Sequence, residues 1–292
     1  MMSSRAACSR STLSSTAMAI LGSAAVSLTV VLSACGGTEA EPSFSILLEA
    51  DPSQLPLGAD QELFMESLKF VLEQRALAFG IADVAVQREG GSRVSVILDQ
   101  TVSLEDARQL LEQQALLEFR QPALDEEGRV LCQDPGGGQF SVAPSEITYA
   151  PESAGGRPAP LCLGEGGRGG EIVWEPAAGA DGQDQAQDGS LVAVRAVRAV
   201  VDRTRAPLVL VNLSRDDMTL LETVSGRLVG LPLGIFLDGE LLAGPTVGEP
   251  VTDGRLVIAG LSLREAEILA AQLPFEPLPL PVREVSVAKT AE

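Results

Sequence analysis

With 292 residues and a hydrophobic fraction of 45%, the chain is long enough for about two packed units and too apolar for wholesale disorder. Its 40 acidic and 21 basic side chains give a formal net charge of -19, which repels phosphate backbones and excludes nucleic acid as a partner. The sequence has no His, which excludes Ser-His-Asp and Cys-His catalysis and His-ligated zinc, and with 3% aromatic residues it has too few rings for stacking platforms; no cofactor or metal is expected.

Residues 1–34 read as an address. Arg5 and Arg10 precede an uncharged run from Ala17 to Ala34 that ends in Leu32-Ser33-Ala34-Cys35, the order of a basic region, an apolar region and small residues that marks a secretory signal. Cys35 directly after Leu-Ser-Ala resembles the lipobox of bacterial lipoproteins, which implies cleavage before Cys35, acylation of its thiol, and a tether over 35–42. The alternative is an uncleaved transmembrane anchor, for which this run only just reaches the roughly 18 residues of spanning length. Either way the body lies on the extracytoplasmic face of the cell membrane, and from Cys35 onward it carries 19 basic against 40 acidic residues. Cys132 and Cys162 are then the only cysteines left in the body. In an oxidising space they are expected to pair, closing a loop of about 30 residues worth ~3 kcal/mol by chain entropy. Two separate thiols are the alternative, and two thiolates alone do not complete a zinc site.

Phe44, Ile46 and Leu48 alternate as a strand, and Gln61 to Phe79 repeats Phe64, Leu68, Val71, Leu72 and Phe79 at helical steps before stopping at Gly80. Val84 and Val86, the turn Gly90-Gly91, and Val94, Val96 and Leu98 make a hairpin; Ser103 caps a helix over Ala107, Leu110 and Leu111; Leu117 and Phe119 give a fourth strand ended by Pro122. Residues 43–122 thus read β-α-β-β-α-β, the split βαβ order of ferredoxin-like folds. Over 123–190 Gly, Pro and acidic residues dominate, and we expect a long, low-complexity and partly disordered insertion with a short hairpin around Glu171 to Glu175. Its string Gly164-Glu165-Gly166-Gly167-Arg168-Gly169 satisfies GxGxxG but neither follows a clear strand nor opens a helix, and Asp181, Asp184 and Asp188 read as a solvated acidic linker and not a calcium loop. From 191 to 279 a second α+β unit follows: strands at Leu208 to Leu213, Leu231 to Leu237, Glu240 to Ala243 and Leu256 to Ala259, a helix capped by Ser214, a turn at Asp238-Gly239, and a capping box of Ser262 and Glu265. Arg195, Arg198, Arg203 and Arg205 form one basic patch, and Val282, Val285 and Val287 a closing strand within 280–292.

Several of these strings carry a resemblance. The helix with Arg75 that ends at Phe79-Gly80-Ile81, then Gln87 and Gly90, resembles the start of the first extracytoplasmic domain of SecD, and Leu117-Glu118-Phe119-Arg120 is similar to that family's Leu-Glu-Phe-Arg strand. Leu237-Asp238-Gly239 with Gly244-Pro245 resembles its Leu-Asp-Gly and Ala-Pro hairpin, and Gly254, Ile258, Gly260, Glu265-Ala266 and Leu269 its final helix region. The resemblance implies an α+β fold: a ferredoxin-like base, a head subdomain inserted in it, and a C-terminal strand returning to the base. It implies no catalytic residue. The family's Gly-Ala-Leu-Pro turn stands here as Pro277-Leu278-Pro279, and the membrane domain that follows in SecD, with the intramembrane carboxylate of its proton path, is expected to be missing.

Polypeptide binding is therefore carried over and the proton-driven motor is not. The expected partners are unfolded or translocating polypeptide, or a Sec component, with the membrane contacted through the lipid anchor. A module docking one folded envelope partner is the alternative, and an enzyme is not expected, since Asp216 and Asp217 are adjacent on a helix and do not face each other. Replacing Cys35 by Ala should release the protein from the membrane fraction. Continued attachment of a chain with full precursor mass would contradict lipidation.

Overall fold

The computed structural model describes residues 43–99, 101–149, 159–177, 194–202 and 206–289. In chain order these form β1 (Ser43–Ala50), α1 (Gln61–Phe79), β2 (Ala85–Arg88), β3 (Arg93–Asp99), α2 (Leu104–Glu112), β4 (Leu117–Pro122), β5 (Val130–Gln133), β6 (Gln139–Val142), β7 (Ile147–Tyr149), β8 (Pro160–Gly164), β9 (Arg168–Ile172) and β10 (Trp174–Pro176). There follow β11 (Val194–Val201), β12 (Pro207–Leu213), α3 (Arg215–Arg227), β13 (Gly234–Leu237), β14 (Glu240–Ala243), β15 (Arg255–Ile258), α4 (Leu263–Gln272) and β16 (Val282–Lys289). Cys8, Cys35, Asp181, Asp184, Asp188, Arg203 and Arg205 lie outside the described residues; Arg195 and Arg198 fall in β11.

The base is a sheet of order β16-β1-β3-β2 with every neighbouring pair antiparallel. The strict alternation of β1 sends Phe44, Ile46, Leu48 and Ala50 to one face, where they meet Met65, Leu68 and Leu72 of α1 and Ala107, Leu110 and Leu111 of α2. Local chemistry sets the helix ends: Asp60 and Ser103 cap α1 and α2, and Gly80 closes α1 in the left-handed region. The C-terminal strand returns to the base as expected, pairing along β1 from Phe44↔Lys289 to Ala50↔Val282. One expectation is corrected. Leu117–Pro122 is a strand, but it leaves the base sheet, and β16 stands in the fourth place instead. The alternation of Leu117 and Phe119 is satisfied equally by either sheet, and the choice is made by partners far along the chain.

That strand joins the head. β4 lies between β10 and β13 in a sheet of order β10-β4-β13-β14, packed through Leu117, Phe119 and Ile235 against the sheet β11-β12-β15 and helices α3 and α4. α4 serves both cores. Its Ala266 and Leu269 lie in the head core, while Ile268 and Ala271 lie in the base core with Leu278 and Leu280. Arg264 at its start forms an ion pair with Asp106 of α2 at 3.0 Å and stacks over Phe79 of α1 at 4.2 Å.

The expected irregular insertion is also corrected: its described residues carry the five-stranded antiparallel sheet β6-β5-β9-β8-β7. The expected hairpin near 171–175 is absent as such, because β9 stays in this sheet and β10 crosses to the head. The strands run only three to five residues, too short for a readable alternation. Cys132 and Cys162 are bonded across β9, with Cα atoms 6.3 Å apart. Two spacings of a flat sheet would be ~9.6 Å, so the sheet curls around its cysteines. Its core is small: Val130, Cys132, Val142, Cys162 and Ile172. The glycine string proves to be the β8–β9 connection, with Gly164 and Gly170 seated under Phe140, where an added Cβ would come within 2.8 Å of the ring.

Deleting residues 280–292 removes the buried Leu280, the β16 pairing and the Arg108–Glu284 ion pair that ties β16 to α2 at 2.7 Å. The base should lose at least about 3 kcal/mol and its amide-exchange protection over 43–99. Unchanged protection there would contradict the closing role of β16.

Candidate functional site

The chain leaves the base through residues 113–116, between α2 and β4, and this crossing is half-buried and polar. Arg75, on the core side of α1 and 0% exposed, donates from Nη1 to the Gln113 carbonyl at 2.6 Å and from Nη2 to the Gln114 carbonyl at 2.7 Å. On the other side, the Asp238 carboxylate accepts from the Ala115 N–H at 3.1 Å and the Leu116 N–H at 2.7 Å. Between them Ala115 is held at φ 63°, a left-handed conformation that costs an L-residue ~1 kcal/mol or more. Burial pulls the Arg75 pKa down to about 10, against the opposing pull of Asp238, so the guanidinium remains charged at neutral pH. From the returning chain Gln272, also 0% exposed, donates to the Gln109 carbonyl at 2.8 Å, and the Leu278 N–H donates to the Gln114 carbonyl at 3.0 Å.

Two of the resemblance residues, Arg75 and Asp238, therefore meet at this crossing from 163 positions apart in sequence (238 minus 75). The others are dispersed. Asp238 (φ 52°) and Gly239 (φ 82°) make the β13–β14 turn, where both central residues need positive φ. Gly80, Gly90 and Gly260 end elements, and exposed Gln87 lies in the edge strand β2. Phe119, Ala266 and half-buried Leu237 belong to or pack on the head core, Glu118 pairs with Arg120 at 2.7 Å, and the Pro245 carbonyl accepts from the Leu233 N–H. Gln272 and Ala115 were not found by sequence reasoning; a Gln among the apolar positions of α4 was the one available sign.

A second feature lies on the opposite face of the β4–β13 sheet. Trp174 and Phe236 meet edge to face with centroids 5.6 Å apart, and Arg120 stacks over Phe236 at 4.3 Å. The curled subdomain is held against the head hairpin by the Tyr149 hydroxyl, which donates to the Gly244 carbonyl at 2.8 Å and lies 2.7 Å from Thr246 Oγ1. Between them opens a cleft of about 390 Å³ lined by Pro160, Leu161, Ile172, Trp174, Phe236 and Leu241, with Glu171 as its one charged residue. Among the described residues no cluster of His, Cys, Asp and Glu is arranged to hold a metal ion, and no helix is long and apolar enough to cross a membrane.

A base closed by the chain's own C-terminal strand, with a head inserted before that strand, makes a two-part α+β domain. Residues 188–280 match the SecDF, P1 head subdomain family. The chain is 27% identical over 261 residues, 86% of its length, to the protein translocase subunit SecDF of Thermus thermophilus, and 26% identical over 250 residues, 81% of its length, to the SecD subunit of Treponema pallidum. It spans only 30% and 41% of those relatives. A crystal structure of SecDF in a super-membrane-facing form shares the fold with a TM-score of 0.55 at 23% identity, over 85% of this chain and 30% of that one. The chain thus resembles the SecD P1 domain, base and head together, over most of its length.

Arg75→Met should cost about 2–3 kcal/mol in urea unfolding, because two half-buried carbonyls lose a charged donor. Arg75→Lys should recover part of it, one ammonium replacing a two-pronged donor. A loss under about 0.5 kcal/mol would show the crossing does not depend on this residue.

Proposed function

We propose that this chain is an extracytoplasmic lipoprotein, anchored through Cys35, that binds exported or unfolded polypeptide at the outer membrane face in aid of Sec-dependent protein export. The carrying observation is the SecD-like base and head over most of the chain, which supports a role in protein export. Among the described residues the head sheets end in β10, β14, β11 and β15, and such edges provide a means, since an extended chain can add to a sheet edge through main-chain hydrogen bonds. The role assigned is binding alone, without an enzymatic step and without a proton-coupled motor.

A second reading, docking to one folded envelope or Sec component, is favoured by the stripe of Leu63, Phe70 and Leu77 along α1, which are 67%, 59% and 45% exposed at seven-residue intervals. The two separate in one experiment. A reduced and carboxamidomethylated protein should bind the chain at least about tenfold more tightly than its native, disulfide-bonded form in fluorescence anisotropy. Equal affinity for both forms, or saturable binding only to a folded Sec component, would overturn the first reading.

A further inference from the structure

We propose that the cleft between the disulfide-linked subdomain and the head hairpin is the polypeptide site, taking an extended, apolar segment of neutral or positive charge as a further strand beside β14. The inference rests on the polypeptide-binding reading above and places it on particular residues. β14 ends its sheet: among the described residues it pairs with β13 and with no other strand. Glu240 closes the two-residue turn against Leu237, so by antiparallel alternation the next residue, Leu241, turns its N–H and C=O away from β13. An extended backbone can pair with both of these groups.

The surroundings select the side chains. Leu241 lies opposite Phe236, on the sheet face that carries Trp174, so a strand added beside it directs alternate side chains into the space bounded by Trp174, Phe236, Pro160 and Leu161. That space has the volume of a small-ligand pocket and one charged wall residue, Glu171. Apolar side chains are favoured there, and the acidic Glu171 within a body of 19 basic against 40 acidic residues disfavours anionic segments. The far wall is fixed where Pro160 packs on Gly244, a contact at which an added Cβ would come within 2.8 Å.

The test uses the folded chain and a fluorescent peptide of alternating valine and threonine flanked by lysines. Leu241→Pro removes the outward N–H, and Leu161→Lys places a positive charge in the cleft without touching β14. Each should weaken binding about tenfold, with amide protection of β13 retained to show that the head is folded. A photoreactive phenylalanine analogue at position 241 should crosslink the peptide, and one at Phe70 on the α1 stripe should not. Saturable binding that survives both substitutions, or crosslinks only at position 70, overturns this site while leaving polypeptide binding intact. No saturable binding of this peptide, with unfolded protein still bound, overturns the site's stated preference. Loss of both overturns the polypeptide-binding reading itself.

Discussion

The structure depends on how residues 113–116 are made tolerable inside the protein. A chain that leaves one sheet to build another must cross their boundary, and each buried backbone group left there without a partner costs about 1–3 kcal/mol. At this half-buried crossing four backbone groups are met by two charged side chains of opposite sign: Arg75 takes the carbonyls of Gln113 and Gln114, and Asp238 takes the N–H groups of Ala115 and Leu116. Neither partner is interchangeable with a smaller polar group. The guanidinium reaches from the core side of α1 with two prongs, and the carboxylate sits at the tip of a turn whose positive φ Asp and Gly tolerate. Because Asp238 belongs to the head and Arg75 to the base, meeting these backbone groups also fixes the hairpin of the head against the base.

α4 adds a second tie of a different kind. A helix facing one core needs a single apolar stripe, whereas α4 buries Ala266, Ile268, Leu269 and Ala271 in two directions. Base and head thus have separate sheets and separate cores, and α4 is the helix that contributes to both cores.

Helices and turns were legible in the sequence because their signals are local. Ser103, Ser214 and the Ser262–Glu265 box each accept or exchange the cap hydrogen bonds their spacing implies, and Asp238-Gly239 makes the turn. Sheet membership was not legible for β4, since alternation states that Phe119 faces a core without stating which. The curled subdomain was hidden for a further reason: its strands are short, and the glycines that suggest irregularity in composition are required by Phe140 lying against Gly164 and Gly170. Of the crossing, Arg75 and Asp238 were singled out only through the resemblance, because nothing in their own neighbourhoods announces a meeting 163 positions apart.

That hidden subdomain is where packing and site converge. Five buried residues, two of them cysteines, are a slight core for a sheet of five strands. A disulfide closing a loop of this length removes ~3–4 kcal/mol of unfolded-chain entropy, comparable with burying two more aliphatic side chains. Pro160 and Leu161 adjoin Cys162, and Trp174 follows Ile172 of the same core by two positions, so the Cys132–Cys162 bond stands directly behind the wall of the cleft. Such bonds persist in oxidising compartments and are rare elsewhere. The extracytoplasmic setting proposed above is one in which such a bond is kept, and with it the curl of the sheet behind the cleft.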